Sequence, residues 1–288
     1  MCLCVLNALE QVHRNARLVA QWQALGFVHG VLNTDNMSCL GLTIDYGPFA
    51  FLERFDPDFV ACTTDESGRY RFKQQPAAVL WNCVQLGRAL SKLMETKGIQ
   101  RAIDSFGDVF AAEYEARMAA KLGLPGGWRG AEDSALLQQW LTLLAGGLDG
   151  HDYTNCFRAL CHVDPLAGVD GAMQRLCPAL GRTTQEELAS WRSFFEAYLA
   201  RVGPMEDAAL SAARRAEMMR ANPKYILRNY HAHNAIEELE KSGDASKLLR
   251  LLDVLQRPFD EVPEAAAEGY AEPVPLEVAR ERGVSILS

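Results

Sequence analysis

The run Gly26-Phe-Val-His-Gly-Val-Leu-Asn-Thr-Asp-Asn-Met-Ser38, followed by Leu42-Thr-Ile-Asp-Tyr-Gly-Pro-Phe49, carries the information that sets both fold and chemistry. Gly26-Phe-Val-His29 and Cys39-Leu-Gly-Leu-Thr-Ile-Asp45 are short apolar runs punctuated by glycine, a pattern that predicts two small strands flanking a loop over 29–37. Asp35 and Asn36 stand side by side in that loop, and Asp45 closes the second run. Asn36 and Asp45 offer hard oxygens of the kind Mg²⁺ accepts, one or two from protein and the rest from phosphate and water. Asp35 is a short carboxylate able to take a proton from an incoming hydroxyl. Asx residues also cap and turn loops without doing chemistry, and spacing alone leaves that reading open.

Outward from this segment the chain is helical. Leu3, Leu6, Leu9, Val12, Ala16, Val19, Ala20 and Trp22 recur at helical spacing until Gly26 ends the pattern. The stretch 48–75 is rich in aromatics, Asp, Thr and Gly and has no period, so it reads as an ordered but irregular excursion. Helix returns at Pro76, which suits a first helical turn, and continues through Leu90. Further helices are predicted at about 100–122, 131–146, 153–162, 184–202, 206–220, 224–242 and 245–256, with Thr184-x-x-Glu187 as a capping box. Gly123-Leu-Pro-Gly-Gly-Trp128 lacks the Lys-Ser/Thr of a phosphate-binding loop and reads as a helix connector. Trp81, Trp140 and Trp191 fall on apolar helical positions and are expected in the core. The segment 258–288, with four prolines and an acidic middle, is expected to be a flexible tail, leaving 1–257 as the folded part.

Bulk properties exclude several classes of function. With 288 residues, 49% of them hydrophobic, the chain can bury one large core or two modest ones. A formal net charge of -8 gives no basic field for nucleic acid. No apolar run is long enough to span a bilayer, so no membrane partner is expected, and no signal or transit segment is visible. The eight cysteines sit mostly in apolar, helix-like stretches, as free thiols do in a reducing compartment. Neither Cys2-x-Cys4 nor the group Cys156, Cys161, His162 has the paired spacing of a zinc site. His231 and His233, two apart on a predicted helix, point to different faces and suit packing or capping better than chelation.

In the protein-kinase template, H-R-D-x-x-x-x-N supplies a catalytic Asp and a metal-binding Asn, and D-F-G supplies a second metal ligand. Here Asn36 stands seven positions beyond His29, and Asp45-Tyr-Gly47 stands where D-F-G would fall. The template's catalytic Asp is replaced by Val31, which can neither accept a proton nor orient a hydroxyl, so an ordinary kinase mechanism is excluded unless another base such as Asp35 serves.

The full string from Gly26 to Phe49 closely resembles the signature of the selenoprotein O family. The resemblance continues through Phe55-Asp-Pro-Asp-Phe59, Gly68-Arg-Tyr70, Gln75-Pro76, Leu80-Trp-Asn82, Asp152-Tyr-Thr154 and Asn222-Pro-Lys-Tyr-Ile-Leu-Arg-Asn229. It implies a mainly α fold with a small β element, the C-terminal lobe of a protein-kinase-like fold plus a helical extension. It further implies a protein adenylyltransferase that moves AMP from ATP to Ser, Thr or Tyr hydroxyls of protein substrates, with Mg²⁺, or Mn²⁺ in its place, as cofactor. Carried over by position, Asp35 resembles the family's proton acceptor, Asn36 a metal ligand, and Asp45 a ligand of both metal and nucleotide.

The family's phosphate-contacting glycines, lysine and arginines belong to an N-terminal part that does not precede Met1 here, so the isolated chain is expected to be weakly active or inactive. A non-catalytic helical remnant that binds a protein partner is the alternative, and a third reading is that this is one portion of a longer product. Many relatives end in a redox-active selenocysteine or cysteine, whereas this chain ends Val284-Ser-Ile-Leu-Ser288, so redox control through the tail is not expected. The resemblance and the thiols place the protein in the mitochondrion or cytoplasm.

Overall fold

Helix α1 (Leu3–Leu25) presents Val12, Ala16, Val19, Ala20 and Ala24 as a buried stripe, the 3.6-residue period made solid. Gly26, at φ 74, ends it in the left-handed conformation that commonly closes a helix. The chain enters β1 (Phe27–Val28), which pairs with β2 (Ala50–Phe51) in a two-stranded sheet. The computed structural model describes residues 3–147 and 150–275. Cys2 and the chain beyond 275, including the final Val284-Ser-Ile-Leu-Ser288, lie outside the described residues.

The second strand is not where the apolar run predicted it. Cys39-Leu-Gly-Leu-Thr-Ile-Asp45 has no regular structure, and the strand falls at Ala50–Phe51 instead. A strand must bury one face, and here Leu40 is 61% and Leu42 56% exposed. Side-chain hydrogen bonds hold the segment where a ladder would have done: Trp22 Nε1–H donates to Thr43 Oγ1 at 3.0 Å, and His29 Nε2 bonds Ile44 O at 2.8 Å.

The first compact unit comprises the chain up to Ala50 together with Pro57–Arg117. After the irregular excursion comes α2 (Gln75–Leu90), with Pro76 in its first turn. Buried Gln75 Nε2 donates to Phe27 O at 2.8 Å, and its Oε1 accepts from His29 N–H at 2.9 Å. One amide side chain thus does for β1 what a neighbouring strand would do. Trp81, expected in the core, is 45% exposed, with the Arg69 guanidinium 4.7 Å from its ring centre. The helix predicted over 100–122 begins earlier and is divided into α3 (Thr96–Asp104) and α4 (Phe106–Leu122). At the break Ser105 Oγ donates to Ala102 O at 2.7 Å and shares a 2.9 Å bond with the His13 ring.

The second unit, Phe51–Asp56 with the described chain from Met118 onward, is helical. Its elements are α5 (Ala131–Leu144), α6 (Tyr153–Leu160), α7 (Gly168–Leu176), α8 (Gln185–Val202), α9 (Ala208–Ala221), α10 (Asn229–Ser242), α11 (Ser246–Leu255) and α12 (Pro263–Ala267). Trp140 and Trp191 are fully buried as expected, their ring centres 5.2 Å apart, with Phe157 and Phe194 against Trp140 at 5.2 and 5.1 Å. Arg201 grips buried Asp133 with two hydrogen bonds of 2.7 and 3.0 Å and also holds Pro125 O and Gly127 O. Gly123 to Gly130 is accordingly a connector between helices, ordered by Arg201 and by Arg214, which donates to Gly123 O.

Lys121 is only 3% exposed, with its ammonium nitrogen 4.1 Å from the Phe157 ring centre and 5.4 Å from that of Tyr153. Burial brings its pKa down to about 7. The Cys156 and Cys161 thiols are buried and bond the backbone carbonyls of Ala179 and Phe157, and burial pushes their pKa values up.

Part of the segment expected to be a loose tail is packed. Val262 and Ala265 are buried beside Tyr225 and Val254, and Tyr225 O–H donates to Val262 O at 2.8 Å. Glu261 bonds both Arg158 and Lys224, and these two cations overcome the burial that opposes its charge, setting its pKa at about 2. His231 lies against the Tyr270 ring at 5.0 Å, while His233 pairs with Glu237 one turn on, so the two histidines serve packing and helix pairing. No helix among the described residues is long and apolar enough to cross a membrane.

Candidate functional site

Asp35, Asn36 and Asp45 all lie in the first unit, on the two limbs between β1 and β2. Asp35 and Asn36 share a single 3₁₀ turn, Thr34–Asn36, and Asp35 is exposed. Asn36 Nδ2 donates to Val31 O at 2.9 Å, and its backbone N–H donates to Asn33 O at 3.1 Å. The amide nitrogen is thereby committed inward.

Asp45 is the one non-glycine residue at positive φ, 56°, among the described residues. Asp tolerates this region better than most side chains, though at a cost that its surroundings must cover. Gly47 N–H closes a tight turn onto Asp45 O at 2.9 Å. The Asp45 side chain is exposed.

His29 joins the limbs. Its ring is 1% exposed; Val31 N–H approaches Nδ1 at 3.4 Å and Nε2 lies 2.8 Å from Ile44 O. Burial holds its pKa below the usual imidazole range, against the opposing pull of Ile44 O and the Asp45 carboxylate. The neutral ring therefore carries its proton on Nε2 and donates to Ile44 O, leaving Nδ1 as acceptor. An unbroken run of hydrogen bonds and backbone links follows: Asn36 to Val31, Val31 to His29, His29 to Ile44, and Ile44 by its peptide bond to Asp45. The structure thus puts Asp35 and Asn36 on one turn and ties the limb bearing Asp45 to the base of that turn.

Several side chains that fix the loop were not recognised as functional from the sequence. Asn82 Nδ2 donates to Leu32 O at 2.9 Å and Asn33 O at 3.4 Å, and Tyr70 O–H donates to Asn33 Oδ1 at 2.7 Å. Gly30 sits at φ 85, where an added Cβ would lie 2.6 Å from Pro48 O, so no other residue fits between the limbs. A signal for these residues was present, since Tyr70 and Asn82 fall in Gly68-Arg-Tyr70 and Leu80-Trp-Asn82, two of the strings by which the sequence resembles the family.

The family's sequence model, described as protein adenylyltransferase SelO, matches residues 7–256. This chain belongs to the SelO family. A protein nucleotidyltransferase YdiU of Thiobacillus denitrificans is 45% identical over 266 residues, 91% of this chain and 51% of that protein. The YdiU proteins of Myxococcus xanthus (44% over 269 residues, 92% of this chain and 51% of theirs) and Salmonella paratyphi B (41% over 250 residues, 87% and 49%) are similar. The chain spans about half the length of these SelO-family relatives. Among the described residues no group of three or more His, Cys, Asp or Glu side chains forms a ready-made metal cage.

Proposed function

We propose that this chain is the metal-binding and acceptor-binding portion of a protein adenylyltransferase, organised like the C-terminal lobe of a protein kinase with a helical extension. The hydrogen-bonded run from Asn36 through Val31 and His29 to Ile44 carries this reading, because it holds a proton acceptor and two metal-ligand candidates on limbs of fixed relation. Asn36 Oδ1 and the Asp45 carboxylate would hold Mg²⁺, with Mn²⁺ the alternative, and the ion would neutralise charge on the phosphates of ATP. A Ser, Thr or Tyr hydroxyl of a protein substrate attacks the α-phosphorus. The new O–P bond forms as the bond to the β-phosphate oxygen breaks and pyrophosphate leaves. Asp35, exposed beside Asn36, receives the hydroxyl proton.

Positioning and electrostatic stabilisation supply most of the rate in reactions at phosphorus, and a site made only of these limbs has few groups to hold a triphosphate. The isolated chain should accordingly bind nucleotide weakly and transfer AMP slowly or not at all. The exposed apolar side chains Leu40, Leu42, Ile44 and Tyr46 beside the loop favour a second reading, in which the unit binds another polypeptide without catalysis. Calorimetric titration with Mg²⁺-ATP separates the two: binding by the native chain that is lost in Asp45→Ala and kept in Asp35→Ala supports the metal-nucleotide site. Absence of binding by the native chain refutes it and leaves the second reading.

A further inference from the structure

The second unit contains a cavity of about 380 Å³ that the proposed chemistry does not use. Arg54, Arg158, Arg175 and Lys224 contribute to its walls, and Ala159, Pro178 and Leu180 give it an apolar side. The cations are not equally available. Arg158 and Lys224 share Glu261, and Arg158 also donates to Met219 O, Asn222 O and Phe259 O, so both are committed to the fold. The lining carboxylate Asp152 is likewise committed, at 2.8 Å from buried Arg228.

Arg54 and Arg175 differ. Among the described residues no carboxylate pairs with either one; Arg54 makes a long 3.4 Å bond to Gly150 O, and Arg175, exposed at the last turn of α7, makes no hydrogen bond or ion pair. Against these two cations the lining sets one acid without a cation partner, Glu272. His162, also in the lining, accepts from Arg215 on Nδ1 at 2.5 Å. Burial first, and then the nearby cations Arg215, Arg158 and Arg175, hold its pKa down against Glu261. The neutral imidazole therefore keeps Nε2–H as a further donor.

We propose that this cavity binds a small organic phosphate, with the guanidinium groups of Arg54 and Arg175 converging on a dianionic head and the apolar wall receiving its body. A dianion matches two cations lacking carboxylate partners better than a monocarboxylate does, and the guanidinium fork fits phosphate oxygens in pairs. A cavity of this volume also has room for more than a bare ion.

The test is calorimetric titration of the whole chain with inorganic pyrophosphate in EDTA, which removes the divalent ion that the proposed catalytic loop needs. Saturable binding is expected, weakened at least about five-fold by Arg175→Gln and further in the double variant Arg54→Gln/Arg175→Gln. Arg192→Gln, which alters an exposed cation elsewhere on the unit, and Asp45→Ala, in the other unit, should both leave it unchanged. Arg175 has no hydrogen-bond or ion-pair partner to lose among the described residues, so its variant should keep the native circular dichroism and melting temperature. No saturable binding by the native chain overturns the proposal, as does undiminished binding in a folded double variant.

Discussion

At the scale of single residues, His29 does more than mark a motif. Its buried ring accepts from one limb and donates to the other, and replacing it leaves a void and two polar backbone atoms without partners. His29→Ala should cost on the order of 2–4 kcal/mol of stability, read from urea unfolding followed by tryptophan fluorescence, since Trp22 lies 5.6 Å from the ring. His29→Gln should recover part of that loss, because an amide can supply one donor. The identity of Asp35, Asn36 and Asp45 as candidates was legible because Asx residues at those offsets carry a recognisable chemistry. The joining role of His29, and the service of Gln75 and Asn82 to backbone carbonyls dozens of residues away, were not legible. Such bonds obey no local period and exist only once the chain has folded back on itself.

At the scale of elements, sequence reading succeeded where a signal is local. Thr184 Oγ1 accepts from Glu187 N–H at 3.2 Å and Glu187 accepts from Thr184 N–H at 2.7 Å, the capping box predicted at the start of α8. Glu187 also accepts from Gly147 N–H, so the same carboxylate anchors a turn beyond its own helix. Thr184→Ala should therefore destabilise by about 1 kcal/mol, the usual worth of a cap, whereas Glu187→Ala should cost more because it frees two backbone donors; thermal melts of both variants decide this. Reading failed where burial had to be assumed. The apolar residues of 39–45 suggested a strand, yet Leu40 and Leu42 remain more than half exposed. Helix α7 escaped notice because Gly168 and Gly171 lower its intrinsic preference, and packing against α8 and α6 supplies what propensity does not. Trp81 has the spacing of a core residue but is met by Arg69 at the surface instead.

At the scale of the whole molecule, the second unit rests on an aromatic core threaded by buried ionic contacts. The Asp133–Arg201 pair illustrates the risk in such a design, since both side chains are almost wholly out of water. Asp133→Asn would leave the guanidinium without its counter-charge, and a loss of about 3–5 kcal/mol is expected in denaturant unfolding. The helical character of this half was plain from apolar periodicity, but its closure by residues 258–271 was not. Proline and acidic residues mask the few side chains, Val262, Ala265 and Tyr270, that pack there.

Lys121 gives the second unit a further property. Its pKa stands at about 7 within the core against an ordinary value of 10.5, so any excursion that wets the side chain must capture a proton between those two limits. Breathing of this core is thereby coupled to alkalinity: as protons become scarce from pH 7 towards 10, opening grows harder and the closed state gains stability. Amide hydrogen exchange in α6, corrected for its intrinsic pH dependence, should slow across that range in the native protein and stay level in Lys121→Met.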